Sequence, residues 1–243
     1  MEVKNGVLRF LGRGSAFHTD NNSAFFTKGS SLVLLDCPTS AFHKLRHIGV
    51  DTLTGCEADK VIVLVTHTHT DHVGGVGMLI HYCYYMLHLP VEVIAPSREV
   101  AEDVGYLIRR LDGCNEQGYK LLTADEAGYD WIVTPILTKH TPELEGRCFG
   151  WCLEIGGQRV VYTGDTCTLE PFVEYLTPGA YLYTELSAYD TLVHLGADVL
   201  LRYEDVLKQR QIKVFLMHLD NEEAISEGIE GTEIKLAPLY RKE

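Results

Sequence analysis

Thr66-His67-Thr68-His69-Thr70-Asp71-His72-Val73-Gly74-Gly75 sets three imidazoles and a carboxylate within six positions, directly behind the apolar run Val61-Ile62-Val63-Leu64-Val65. In an extended segment residues two apart share a side, so His67 and His69 converge on one ion. A turn into helix immediately afterwards leaves Asp71 and His72 in its first turn, facing a second ion. Imidazole and carboxylate donors suit zinc, with manganese or iron as alternatives. The competing reading is a histidine-rich loop without metal. The alternate spacing, the following carboxylate and the glycine pair all weigh against it.

Three later segments share one grammar, an apolar strand that ends in a ligand-type residue. Ile132-Val133 leads towards Thr138-Lys139-His140, Val160-Val161-Tyr162-Thr163-Gly164 ends in Asp165, and Val214-Phe215-Leu216-Met217 ends in His218. Rigid strands place convergent groups at their ends. A lone histidine after a strand is ordinarily structural; an ordered set after an HxHxDH cluster points to a dinuclear centre.

Between these landmarks short strand-like runs alternate with helical patterns. Strands are expected at 7–11, 23–27, 31–35, 61–65, 91–95, 131–138, 149–155, 159–163, 181–185 and 213–217. Helices are expected at 41–48, 76–88, 99–111 (capped by Ser97) and 197–209. Lys28-Gly29 and Gly156-Gly157 read as hairpin turns, and Pro135 marks an edge strand or a break in pairing. Strands in two batches, with helices between and after them, fit two sheets packed face to face under outer helices.

The 243 residues suffice for one α/β domain over 1–243. No apolar run reaches membrane-spanning length and no signal segment opens the chain. The seven cysteines are an odd, scattered set, which fits a reduced cytoplasmic protein better than a disulfide framework. Cys148 and Cys152 lack the second pair a zinc ribbon needs, so they read as buried thiols. A net charge of −13 argues against a long polyanion, which calls for a basic stripe. A small anion remains compatible, because a pair of divalent cations dominates the local potential.

His67, His69, Asp71, His72, His140, Asp165 and His218 together resemble the metallo-β-lactamase superfamily along nearly the whole chain. That resemblance implies an α/β fold, the αββα sandwich of two packed mixed β-sheets with helices on the outer faces. It also implies two divalent metal ions, zinc first and manganese second. His67, His69 and His140 would hold one ion, Asp71, His72 and His218 the other, and Asp165 would bridge them. A hydroxide between the ions would be the nucleophile, with Asp71 in the catalytic centre. The cysteine ligand of many true β-lactamases is not apparent.

The opening Leu11-Gly12-Arg13-Gly14-Ser15-Ala16-Phe17, with Asn22-Ser23-Ala24-Phe25 behind it, is similar to the tRNase Z-like phosphodiesterase branch. In that branch a His-Glu-Ala-Thr motif ends a strand. Here Tyr183-Thr184-Glu185-Leu186-Ser187 has Thr184 in place of the histidine and keeps Glu185. His194 is then the residue to supply the missing imidazole as general acid, with Glu185 orienting a ligand or a proton-transferring group. Only 24 residues lie between His140 and Asp165, leaving no room for the RNA-clamping arm of tRNase Z. Size, opening motif and missing arm are most similar to the anti-Pycsar proteins of phages and bacteria, which hydrolyse cyclic nucleotides and so silence a defence signal. The resemblance implies a small cyclic nucleotide substrate, cyclic CMP or UMP included, and a homodimer in the cytoplasm. Large nucleic acid and membrane are not expected partners. An RNA 3′-end endonuclease, a glyoxalase II-type thioesterase and a non-catalytic nucleotide-binding decoy are the competing functions.

Overall fold

The computed structural model describes residues 6–241. By their contacts these form two compact units: Leu8–Gly128 with the residues from Leu239 onward, and Tyr129–Pro238 with those up to Val7.

In the first unit β1 (Arg9–Gly12), β2 (Ser23–Lys28), β3 (Ser31–Leu35), β4 (Val61–Leu64), β5 (Val91–Ala95) and β6 (Tyr119–Thr123) line up in that order in one sheet. Pairing is antiparallel from β1 to β3 and parallel from β3 to β6. Every residue of β3 and β4 is buried, which accounts for their unbroken apolar runs, since parallel strands are covered on both faces. Lys28 pairs with Ser31 across the expected turn, where Gly29 has φ 62°. Ser97 caps the helix Arg98–Tyr106, its hydroxyl oxygen accepting from the Val100 N–H at 3.3 Å.

The helices expected at 76–88 and 99–111 both change character partway. After Val76–Tyr82 and Arg98–Tyr106 the chain widens into π-helical turns at Cys83–Leu87 and Leu107–Leu111. An i→i+5 turn takes in one extra residue while the helix continues, and a 3.6-residue apolar period carries no sign of it.

The second unit repeats the same pairing scheme. Here β7 (Ile132–Leu137), β8 (Phe149–Ile155), β9 (Gln158–Tyr162), β10 (Tyr181–Glu185), β11 (Lys213–Met217) and β12 (Lys235–Leu236) succeed one another. They are antiparallel from β7 to β9 and parallel from β9 to β12. Gly156 and Gly157 sit at φ 58° and 74°, the two positive values a two-residue hairpin turn demands. Pro135 lies on the edge strand β7, next to a register shift between Ile132 and Thr134. Leu182, Val214 and Leu216 of the sheet share one apolar core with Leu195, Leu200, Leu207 and Ile225. The helix expected at 197–209 is two helices, Ala197–Leu201 and Glu204–Gln209, broken at Arg202-Tyr203.

Strands β6 and β12 escaped the sequence reading. Both are edge strands, paired on one side only, and Tyr-Lys-Leu-Leu-Thr and Lys-Leu carry no apolar alternation. The strand ends that matter for chemistry turn abruptly. Asp36 after β3, Gly164 after β9 and His218 after β11 have φ of 60°, 61° and 49°. For a non-glycine residue this left-handed backbone costs on the order of 1–3 kcal/mol and concentrates where a side chain must be aimed.

Candidate metal centre

In the first unit the chain leaves β4 extended as far as His69 and turns at once into the short helix Thr70–Val73. The imidazoles of His67 and His69 therefore face one another, Nε2 to Nδ1, at 3.1 Å. Asp71 and His72 share the helical turn, with His72 Nε2 3.4 Å from an Asp71 carboxylate oxygen. The His72 ring lies 4.0 Å from that of His67, centroid to centroid. All four residues of the opening motif are thus gathered at one strand end.

Asp36 belongs to this cluster and was missed in the sequence. It is wholly buried. One carboxylate oxygen accepts the Thr66 backbone N–H at 2.8 Å; the other accepts the Thr66 hydroxyl and His72 Nδ1–H, both at 2.8 Å. Leu32-Val33-Leu34-Leu35-Asp36 follows the same strand-then-ligand grammar as the later segments, which was the available signal. Asp36 fixes the His72 tautomer, so Nε2 is left as an acceptor facing the Asp71 carboxylate. Two acceptors turned towards each other need a cation, and an imidazole held by an outer carboxylate is the usual support of a metal ligand. Replacing Asp36 with alanine is expected to weaken metal binding about 10–100-fold, measured by competition with a chromogenic chelator.

Gly75 lets this arrangement close. Its N–H donates to Cys37 O at 2.9 Å, and Cys37 N–H donates to His72 O at 2.8 Å. A Cβ on Gly75 would come within 2.5 Å of the Pro38 carbonyl oxygen, a clash with backbone that only a shift of the Asp36–Pro38 segment relieves. Gly75→Ala is expected to cost about 1–3 kcal/mol, read as a lower melting temperature.

In the second unit His140, Asp165, Glu185, His194 and His218 come together from four strand ends and one loop. His140 Nδ1–H donates to Val193 O at 2.8 Å, leaving Nε2 as an acceptor 3.8 Å from an Asp165 oxygen. His218 Nε2 lies 3.3 Å from the same oxygen. This is the second case of imidazole and carboxylate acceptors turned towards one point. The donor set therefore fits a divalent metal: imidazole nitrogens, with His72 and His140 each held in one tautomer, and carboxylates. It is the donor set of a metal-dependent hydrolase.

Glu185 is buried at the end of β10. It accepts the Thr166 backbone N–H, and its other oxygen takes His194 Nδ1 at 2.6 Å. The His194 ring stands 4.9 Å from that of His140 and 5.4 Å from that of His218. Burial by itself would lower the His194 pKa. The hydrogen bond and charge of Glu185, helped by Asp165, outweigh it and raise the pKa above the usual histidine value. Thr184, at the position of the absent histidine, is buried and offers only a hydroxyl.

All seven cysteines are free thiols, and burial pushes Cys83 up to about 12. Among the described residues no helix is long and apolar enough to cross a membrane.

The architecture matches known structures. YhfI from Bacillus subtilis, a metallo-β-lactamase fold protein, superposes with a TM-score of 0.70 at 18% identity, covering 95% of each chain. This chain has the metallo-β-lactamase fold. Human tRNase Z, short form, shares that fold with a TM-score of 0.64 at 17% identity over 96% of this chain and 97% of its own. In sequence, residues 7–104 match the family model for the anti-Pycsar protein Apyc1. The Apyc1 of Bacillus phage vB_BsuM-Goe3 is 29% identical over 240 aligned residues, 87% of this chain and 88% of the phage protein. This metallo-β-lactamase fold chain is thus similar to Apyc1 proteins along most of its length.

Proposed function

We propose that residues 1–243 act as one metal-dependent phosphodiesterase domain that hydrolyses small cyclic nucleotides, 3′,5′-cyclic CMP and UMP among them. The observation that carries this reading is the Glu185–His194 pair. A solvent-reaching imidazole, held by a buried carboxylate and raised in pKa, stands beside three ligand-type residues. That is the arrangement of a general acid for an alkoxide leaving group. The similarity to Apyc1 proteins supports the substrate class. The acidic balance of the chain and the short interval from His140 to Asp165 support a small substrate over a large RNA.

In this reading His67, His69 and His140 would hold one ion and Asp71, His72 and His218 the other, with Asp165 as a further ligand; zinc is the first choice and manganese the second. When bound, the ions supply a water acidified to about pKa 7 and offset the phosphate charge. The chain's own contribution is orientation and proton supply. Asp36 and the Val193 carbonyl hold His72 and His140 in the tautomers that leave Nε2 for the metal. As the ribose oxygen departs from phosphorus, His194 gives it the proton on Nε2, while Glu185 keeps Nδ1–H in place and stabilises the imidazolium until it loses its charge. The reading includes a homodimer and a cytoplasmic place of action.

The test is a rate comparison with purified, metal-loaded protein. The panel contains 3′,5′- and 2′,3′-cyclic nucleotides, cyclic dinucleotides, a glutathione thioester and a pre-tRNA, and light scattering on the same sample gives the mass. Cyclic mononucleotides are expected to turn over fastest. Faster pre-tRNA or thioester cleavage would replace the proposal, and a cyclic nucleotide bound but intact after hours would make the chain a decoy.

A further inference from the structure

His194 lies in the loop Leu186–Gly196, between β10 and the helix Ala197–Leu201. A loop carrying a proton donor must be held as firmly as the strands, because a misplacement of about 1 Å costs roughly 10²-fold in rate. The two ends of this loop are zipped to each other, Ser187 N–H donating to Leu195 O at 2.9 Å. Glu185 and the His140–Val193 bond then fix the His194 side. What fixes the other side is a residue neither the sequence motifs nor the proposed chemistry uses.

That residue is Asp220. Its two carboxylate oxygens grip the root of the loop: the Ser187 hydroxyl donates to Oδ2 at 2.5 Å, and the Ala188 backbone N–H donates to Oδ1 at 2.9 Å. Ser187 Oγ in turn accepts the Tyr189 N–H at 3.0 Å, carrying the constraint one residue further. Asp220 reaches this position because β11 ends in the left-handed turn at His218, φ 49°, which throws the following residues back towards the end of β10. The carboxylate thus joins the His218 turn to the segment running from Glu185 to His194. A carboxylate accepting a hydroxyl and a backbone N–H is a strong, directional clamp.

We propose that Asp220 is a positioning residue for proton delivery, fixing the loop that holds His194 against Glu185. The inference rests on the phosphodiesterase reading for its kinetic consequence but not for its structural one. Two measurements on metal-loaded protein separate them. The first is spectroscopic: in Asp220→Ala the downfield Nδ1–H proton of His194 should weaken or vanish. Amide exchange at Ala188 and Val193 should accelerate at least tenfold, with β10 and β11 unchanged. The second is kinetic: kcat for a cyclic nucleotide should fall about 10–100-fold, the usual size of an outer-shell effect, with a loss at least tenfold smaller for bis(4-nitrophenyl) phosphate, whose leaving group needs no proton. Ser187→Ala, which keeps the Ala188 bond, should show the same pattern at reduced size and guards against an Asp220→Ala protein that fails to fold.

Equal losses on both substrates with loss of metal would make Asp220 a support of His218 instead and overturn the proposal. Unchanged exchange and an intact His194 signal would also overturn it. If the wild-type protein cleaves neither ester, the phosphodiesterase reading falls, and the spectroscopic result alone decides whether Asp220 fixes the loop.

Discussion

Alanine at His69 or Asp71 is expected to reduce phosphodiester hydrolysis by at least about 10³-fold, with the melting transition and far-UV spectrum close to wild type. The size follows from what is removed. A bound metal contributes several kcal/mol of charge stabilisation at the phosphate, and each 1.36 kcal/mol is about tenfold in rate. The fold should survive because neither side chain is part of the apolar core: Asp71 is half-buried on a short helical turn, and His69 lies in a loop. Metal analysis accompanies the kinetics. Wild-type turnover in either variant at full metal occupancy would sink the two-ion assignment, and collapse of the fold would reassign both residues to structure.

His194→Ala is expected to behave differently. Its kcat on a cyclic nucleotide should drop about 10²–10⁴-fold, the range for loss of a general acid, while metal content stays at the wild-type value. The distinction comes from geometry: His194 bonds to Glu185 at 2.6 Å, whereas the groups turned towards Asp165 are His140 and His218. The ester used decides the outcome. A ribose oxygen leaves as a strong base and needs the proton; nitrophenolate does not, so the same variant should cleave the nitrophenyl ester at a rate much nearer to wild type. Parallel losses on both esters would remove His194 from proton transfer and place it among the metal supports.

Much of the fold was legible because its signals are local. Short apolar runs announced the strands β3, β4, β9 and β11, and Gly156-Gly157 announced its hairpin through the positive φ values both residues adopt. The widening of two helices into π turns, the break at Arg202-Tyr203 and the edge strands β6 and β12 were not legible. Each is settled by packing or by one-sided pairing and leaves no period in the chain. Within the candidate centre the split is similar. HxHxDH is compact enough to read directly, whereas Asp36 stands 30 residues before its partner Thr66 and looks like any acid after a strand.

By itself the sequence determined which donors are present, in what order, and that each follows a strand. Alternation, side-chain chemistry and chain length are covalent properties, so they survive without coordinates. The tertiary structure alone decided which groups steer those donors. Asp36 holds His72 through a buried carboxylate, the Val193 carbonyl holds His140, Glu185 reaches nine residues on to His194, and Asp220 reaches back 33 residues to Ser187. Those contacts join ends of different strands and loops. Hydrogen-bond direction and tautomer are set there by the sheets that bring the ends together, and a linear pattern carries no record of them.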